Sequence, residues 1–549
     1  MTVAGIVLAV VLKWPVAKHL RSVVPEDLGD PLLQTWQLGW GAHALLHDPL
    51  HVWDSNTFWP LKETLAFSDS LLGYAPLGVL FGDGFGNALL RYNTVFLLAY
   101  ALSFVGVYAL ARQLGTSRVA AALAGLGFAY APWHLAQEGH LQILSAGGIP
   151  LALALLARGH GYGRGARTQR PLLVLAGWAV AAWQVTLGFG LGLQFGYLLG
   201  VLALVYGGRW LLARRRGTAP SPGPRLLLAE AGGAALFLVV AAAFALPYLH
   251  VATGHPESKR TVADLQLFSP PLQGFFVAPA DSWLWGARQQ GIRDALPFQP
   301  EMTLSPGNVL VVLAVAGVVA GTWPRRRRFA LGAGAVVLLA LAMGTRLAGG
   351  SYTYLLLFHH APGWEGIRTP GRLVVPLTLV LALLAATGVD RLRGPARRGP
   401  DATARSALVA TAALLLVGIE TLGTTPTPPA PALPAALDRA SGPLLVLPSD
   451  SFHDSWAMYW STAGFYPIAN GSSGFLPREL ETLRAGVAGF PDPASVALLQ
   501  QRGIRRVVLL PAYAAGSSWQ GAEAKPIDGL PVRRSVVGEA VVYEVAAAR

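Results

Sequence analysis

Long apolar runs broken by short polar loops fill the chain as far as Glu420. Many approach the roughly 20 residues that a bilayer-spanning helix needs. They predict spans near 1–20, 88–111, 119–133, 141–157, 171–187, 190–207, 226–250, 305–322, 329–346, 371–390 and 406–422. Only a Gly-Phe-Gly turn separates the pair around Leu187–Leu191, and residues 71–82 read as a half-buried helix of the first outer loop. Past Glu420 the pattern changes. Thr424 to Pro434 is rich in proline and threonine, and short β-prone runs follow at Leu444–Leu447, Val507–Leu510 and Val541–Val545, with a helix expected over Pro493–Gln501. The chain thus divides into a transmembrane domain (1–422) with a long first outer loop (21–87), a proline-rich linker (423–441) and a tail domain (442–549). The expected fold is mainly α, a polytopic membrane protein of about 11 transmembrane helices with a small C-terminal extracytoplasmic α/β domain.

Charge sets the orientation. Five short loops, Arg112 to Arg118, Arg158 to Arg170, Arg209 to Arg225, Arg325 to Arg328 and Arg391 to Arg405, hold 20 Lys or Arg and one acid, Asp401. The segments 21–69, 133–140, 251–304 and 347–370 hold 7 Lys or Arg and 14 Asp or Glu. Basic loops stay cytoplasmic, so the N-terminus is expected inside and the tail outside. The first segment, Thr2 to Val11, lacks a clear cleavage site and reads as a retained span.

Composition agrees with lipid as the main solvent. Of the 549 residues 53% are hydrophobic and 13% charged, with a mean hydropathy of +0.46; soluble domains carry about 25% charged residues. The net charge of +13 sits in loops between spans, so it gives no nucleic-acid partner. Without cysteine there is no disulfide, thiolate metal site or cysteine nucleophile. No G-x-x-x-x-G-K-[ST] loop is present, which argues against an ATP-driven pump.

The densest candidate chemistry lies just outside the first span, in Pro25-Glu26-Asp27-Leu28-Gly29-Asp30-Pro31. Asp30 before Pro31 has the form of a helix N-cap with proline at the first helical position. A capped carboxylate is also held in one place beside the membrane, as a general base requires. The helix it opens carries Leu33, Trp36 and Trp40 on one stripe, which suggests a headgroup-plane position. Glu26 and Asp27 are neighbours able to perturb each other or to be plain solvated acids; Asp48, Asp54 and Asp69 are weaker candidates of the same kind. His43, His47 and His51 recur every four residues, a spacing open to a metal reading because imidazoles suit zinc, but Pro49 interrupts the helix between the last two, so a divalent metal is unsupported and none is expected. Arg368 and Arg372 flank Thr369-Pro370-Gly371 at the entry to a span, placed either to grip a lipid phosphate or to snorkel. Tyr130, His134, Glu138, His140 and Gln142 ring the outer ends of two spans, either lining a substrate cleft or forming a wet loop.

At these residues the chain resembles the GT-C-fold glycosyltransferases, particularly the YfhO-like bacterial membrane proteins. The resemblance rests on Gly29-Asp30-Pro31-Leu32-Leu33, on Phe128 to Trp133 with Glu138 to Gln142, and on Gly366 to Arg372. Asn470 to Phe475 and Phe490 to Ala494 fit as well, so nearly the whole chain is covered. It implies an inverting transferase that takes a sugar from a polyprenyl-phosphate carrier at the extracytoplasmic face and gives it to a cell-envelope glycan, lipid or protein. An acid of the first outer loop would be catalytic, Asp30 first and Asp27 second. Arg368 and Arg372 would face the donor phosphate, with Tyr130, Glu138, His140, Gln142 and Trp36 about the substrate. No cofactor is implied. The chain lacks the Trp-Trp-Asp-Tyr-Gly run of oligosaccharyltransferases, and Glu26-Asp27 reverses the acid pair of protein mannosyltransferases. The competing classes are a lipid or polysaccharide transporter, for which Arg91, Glu230, Arg346 and Glu420 are the intramembrane charges to inspect, and a non-catalytic envelope-assembly protein.

Overall fold

Each predicted span contains a helix. The computed structural model describes residues 1–164, 168–217, 223–394 and 400–547. Arg167, Arg397 and Arg398 of the arginine-rich loops lie outside the described residues, as do the side chains of Asp401 and Arg405. Among the described residues six helices are long and apolar enough to cross a membrane: Phe85–Gln113, Arg118–Gln137, Leu141–Gly159, Phe189–Arg215, Pro224–Gly254 and Pro370–Arg393. Shorter apolar helices occupy Thr2–Leu12, Pro171–Leu187, Asn308–Ala320 and Ser406–Glu420. The half-buried helix expected over 71–82 is present as Leu72–Phe81, an α-helical turn, Ala75–Gly78, flanked by the 3-10 turns Leu72–Tyr74 and Val79–Phe81.

The chain forms two compact units. The first comprises Met1–Trp14, Phe96–Phe244 and Arg260–Thr425. Its helices Asn308–Ala320 and Val374–Arg393 pack at glycines: a side chain on Gly317 would strike the Leu384 carbonyl, and one on Gly388 would lie 2.5 Å from the Leu313 carbonyl. Small residues that let backbones meet are the usual means of helix association in lipid. Glu420 satisfies the start of helix Asn308–Ala320, accepting from Asn308 N at 2.7 Å and Val309 N at 2.8 Å.

The second unit comprises Pro15–Val95, Ala245–Lys259 and Pro426–Arg549, so the C-terminal sheet shares its unit with the first outer loop. The sheet order is β1-β2-β4-β3. β1 (Leu444–Leu447) runs parallel to β2 (Arg506–Leu509), β4 (Ala540–Val545) is antiparallel to β2, and β3 (Val532–Val537) completes the edge. β1 is buried throughout, which matches its unbroken apolar run. Helix Asp30–His47 packs against helix Ser451–Ser461. Trp36 is 2% exposed and donates to Asn56 Oδ1 at 2.9 Å, while Asn56 donates to Ser461 Oγ and to the Tyr466 carbonyl, both at 3.0 Å. Trp40 donates to the Val52 carbonyl at 2.8 Å. Protein acceptors thus satisfy both indoles of the tryptophan stripe.

Candidate active site

The first-loop acids begin at Glu26, whose φ of 72° is left-handed, and the chain turns there. Asp27 Oδ1 then accepts from Gly29 N at 2.7 Å. The helix starts one residue earlier than the sequence suggests. Gly29 is the N-cap, Asp30 the first helical residue and Pro31 the second. The local reason is that Asp27 already holds the Gly29 amide. Asp30 and Asp27 are both exposed, and a carboxylate in the first helical turn is stabilised by the helix dipole.

The first unit carries a cationic group of its own. Arg372 Nη2 donates to Glu301 Oε1 at 2.7 Å, and Arg368 lies over the Phe268 ring at 5.0 Å. Burial of Glu301 favours its neutral form, but Arg372, His140 and Arg368 outweigh that and hold its carboxyl below the ordinary value. Arg260 joins the group. Burial and the charge of Arg368 push it down to about 10 against the pull of Asp264. Asp264 is fixed by a capping box with Thr261 at the start of helix Val262–Phe268. A guanidinium held beside a second cation in this way is relieved by an anion placed next to it.

The polar ring at the ends of the third and fourth spans separates into two parts. Glu138 is fully buried, paired with Lys13 and accepting from Tyr100 Oη at 2.9 Å, and Lys13 also donates to Thr425 Oγ1 at 3.1 Å. Tyr130 stacks on Tyr100 with ring centroids 5.2 Å apart, and His134 stacks on Trp133 at 3.7 Å. Glu138, Tyr130 and His134 therefore belong to the interior of the unit, whereas His140 and Gln142 are half-buried and His140 acts on Glu301. Trp36 is a core residue of the second unit. Sequence reasoning missed Lys13, Arg260 and Glu301. The only available signal was their position beside apolar runs.

No family model matches this chain, and no curated protein does. Among solved structures, the arabinofuranosyltransferase AftD from mycobacteria aligns over 100% of this chain with a TM-score of 0.54 at 16% identity. The fold is GT-C. The chain spans 40% of the length of AftD. An Archaeoglobus fulgidus oligosaccharyltransferase aligns over 92% of this chain and 69% of its own at TM-score 0.49 and 14% identity. ArnT from Cupriavidus metallidurans, solved bound to undecaprenyl phosphate, aligns over 100% and 98% at TM-score 0.37 and 16% identity. With its GT-C fold and apolar helices, the chain is a multi-pass membrane protein.

The four intramembrane charges all have local partners. Arg91 donates to the Gly78 and Gly82 carbonyls at 3.1 and 2.6 Å. Glu230 pairs with His160 at 3.0 Å, and Arg346 Nε donates to the Ser269 carbonyl at 3.2 Å. Glu420 accepts from Trp285 Nε1 at 2.9 Å besides its two backbone amides. These are structural roles and lend no support to a transport path.

Proposed function

We propose that this chain is a membrane glycosyltransferase that moves a sugar, with inversion, from a polyprenyl-phosphate-linked donor to a cell-envelope acceptor. The observation that carries the reading is the group of Arg260, Arg368 and Arg372, opposed by Asp264 and Glu301, in a chain of GT-C fold. Its chemistry suits a phosphate. Arg368 and Arg372 take the donor phosphate and Arg260 adds to their field. His140 and Gln142 lie on the same side of the reading as substrate contacts, and kinship with YfhO-like proteins belongs to it. The acceptor hydroxyl attacks the anomeric carbon as the bond to the phosphate oxygen breaks. The electron pair leaves on the lipid phosphate, where fixed guanidiniums stabilise it. The acceptor proton passes to a carboxylate, which we assign to Asp30, with Asp27 second. A lipid-linked donor carries its own leaving group, so no nucleotide is needed at the outer face of a bacterial inner membrane.

Titration of the purified chain with undecaprenyl phosphate in detergent tests the donor site. Arg368→Gln and Arg372→Gln should each weaken binding by about 1.5–3 kcal/mol, the value of a hydrogen bond to a charged group. Unchanged affinity in both variants rejects the assignment.

A further inference from the structure

Within the second unit, His43 and His47 lie one helical turn apart near the end of helix Asp30–His47, and Asp83 faces them from the turn before helix Phe85–Gln113. His43 Nδ1 lies 2.8 Å from Asp83 Oδ2; His47 Nδ1, 3.9 Å from the same oxygen, donates to the His43 carbonyl at 2.9 Å, which leaves its Nε2 lone pair for a ligand role. One ligand atom from each residue falls within 4.8 Å of the others. The spacing of four residues is the helical arrangement by which two imidazoles address one ion.

The surroundings hold these groups in place. Phe465 stacks on the His43 ring at 4.5 Å, and the two imidazoles stack at 4.3 Å. Asp83 sits between Gly82 and Gly84, whose φ values of 70° and 107° suit glycine and make the turn tight. Arg91 fixes that turn through hydrogen bonds to the Gly78 and Gly82 carbonyls, and its charge also acts on the Asp83 carboxylate. A groove of about 340 Å³ lined by His43, His47, Asp48, His51 and Asp54 opens beside the group and gives an ion a route of entry. His51 itself turns to Asp48 at 2.9 Å, so it is not needed as a ligand.

We propose that His43, His47 and Asp83 bind one divalent transition-metal ion, with solvent completing the shell. Two imidazoles and a carboxylate suit zinc, and the short His43–Asp83 contact is then the metal-free form, with a proton between ligands that an ion would join. The ion would clamp the end of helix Asp30–His47 to the turn at Asp83. It takes no part in the transfer chemistry proposed above.

The test is calorimetric titration of the chelator-treated, untagged full-length chain with zinc chloride. One zinc per chain is expected at this site. His47→Ala and Asp83→Asn should each weaken it by roughly tenfold or more, since even an outer-shell change costs about 10–100-fold. His47 is half-exposed, so its loss leaves the packing on Phe465 intact. Cobalt(II) loading should give a visible absorption band that disappears in His47→Ala. His255→Ala, which removes the separate His255, Glu257 and Glu479 group, should leave zinc affinity unchanged. Equal zinc affinity in wild type and His47→Ala, or loss of binding in His255→Ala alone, would overturn the proposal, as would a wild-type chain that takes up no zinc. Uptake is read without turnover, so the result is separate from that of the transferase tests.

Discussion

At the residue scale, the proposed base and the buried pairs make opposite demands. Asp30 is exposed at the first turn of its helix, so Asp30→Asn should cost little stability while lowering turnover by about 10²–10⁴-fold, because an amide cannot accept the acceptor's proton. A single assay of melting and turnover on that variant checks both halves. Glu138 is the reverse case: Glu138→Gln leaves Lys13 a buried, unneutralised charge and should cost about 3–5 kcal/mol, visible as a lower melting temperature in detergent. Glu301 adds a pH signature. Its carboxyl lies below the ordinary 4.5, so its stabilising contribution is complete above that value and is lost as pH falls through the folded one. Acid melting curves of Glu301→Gln should be flatter than those of wild type. The helix start was legible from the Asp30-Pro31 context to within one residue, with Gly29 rather than Asp30 as the cap, but the Lys13–Glu138 pair was not, since the two lie 125 residues apart and no local pattern links them.

At the element scale, legibility followed the solvent. Apolar runs announced the helices because lipid demands both length and apolarity. β1, β2 and β4 announced themselves as short buried runs. β3, Val-Arg-Arg-Ser-Val-Val, was missed because it is an edge strand exposed along nearly its whole length, and its polar residues break the strand signal. Helix Ser451–Ser461 was missed as well, because it is buried on most sides by protein and lacks a clean polar face. Packing between helices gives a test at this scale. Gly317→Ala sets a methyl against the Leu384 carbonyl and should destabilise the chain by about 1–3 kcal/mol. Gly334→Ala, with nothing within 4 Å of the added carbon, should be neutral. Thermal unfolding of the two variants side by side checks the contrast.

At the scale of the whole molecule, the asymmetry of arginine between loops puts the chain end outside the cell in the proposed orientation. A reporter active only in the cytoplasm, fused after Arg549, should be silent, and strong activity would reverse the orientation. The second unit also has an uncommon chain order, drawing on residues 15–95, 245–259 and 426–549. Helix Asp30–His47 leaves the ribosome early, yet its cover, helix Ser451–Ser461, is made more than four hundred residues later. At roughly 5–20 residues per second, the loop waits tens of seconds with Leu32, Leu33 and Trp36, buried in the folded chain, unsheltered. In the proposed orientation that interval would leave the nascent loop open to proteolysis outside the membrane until the tail covers it.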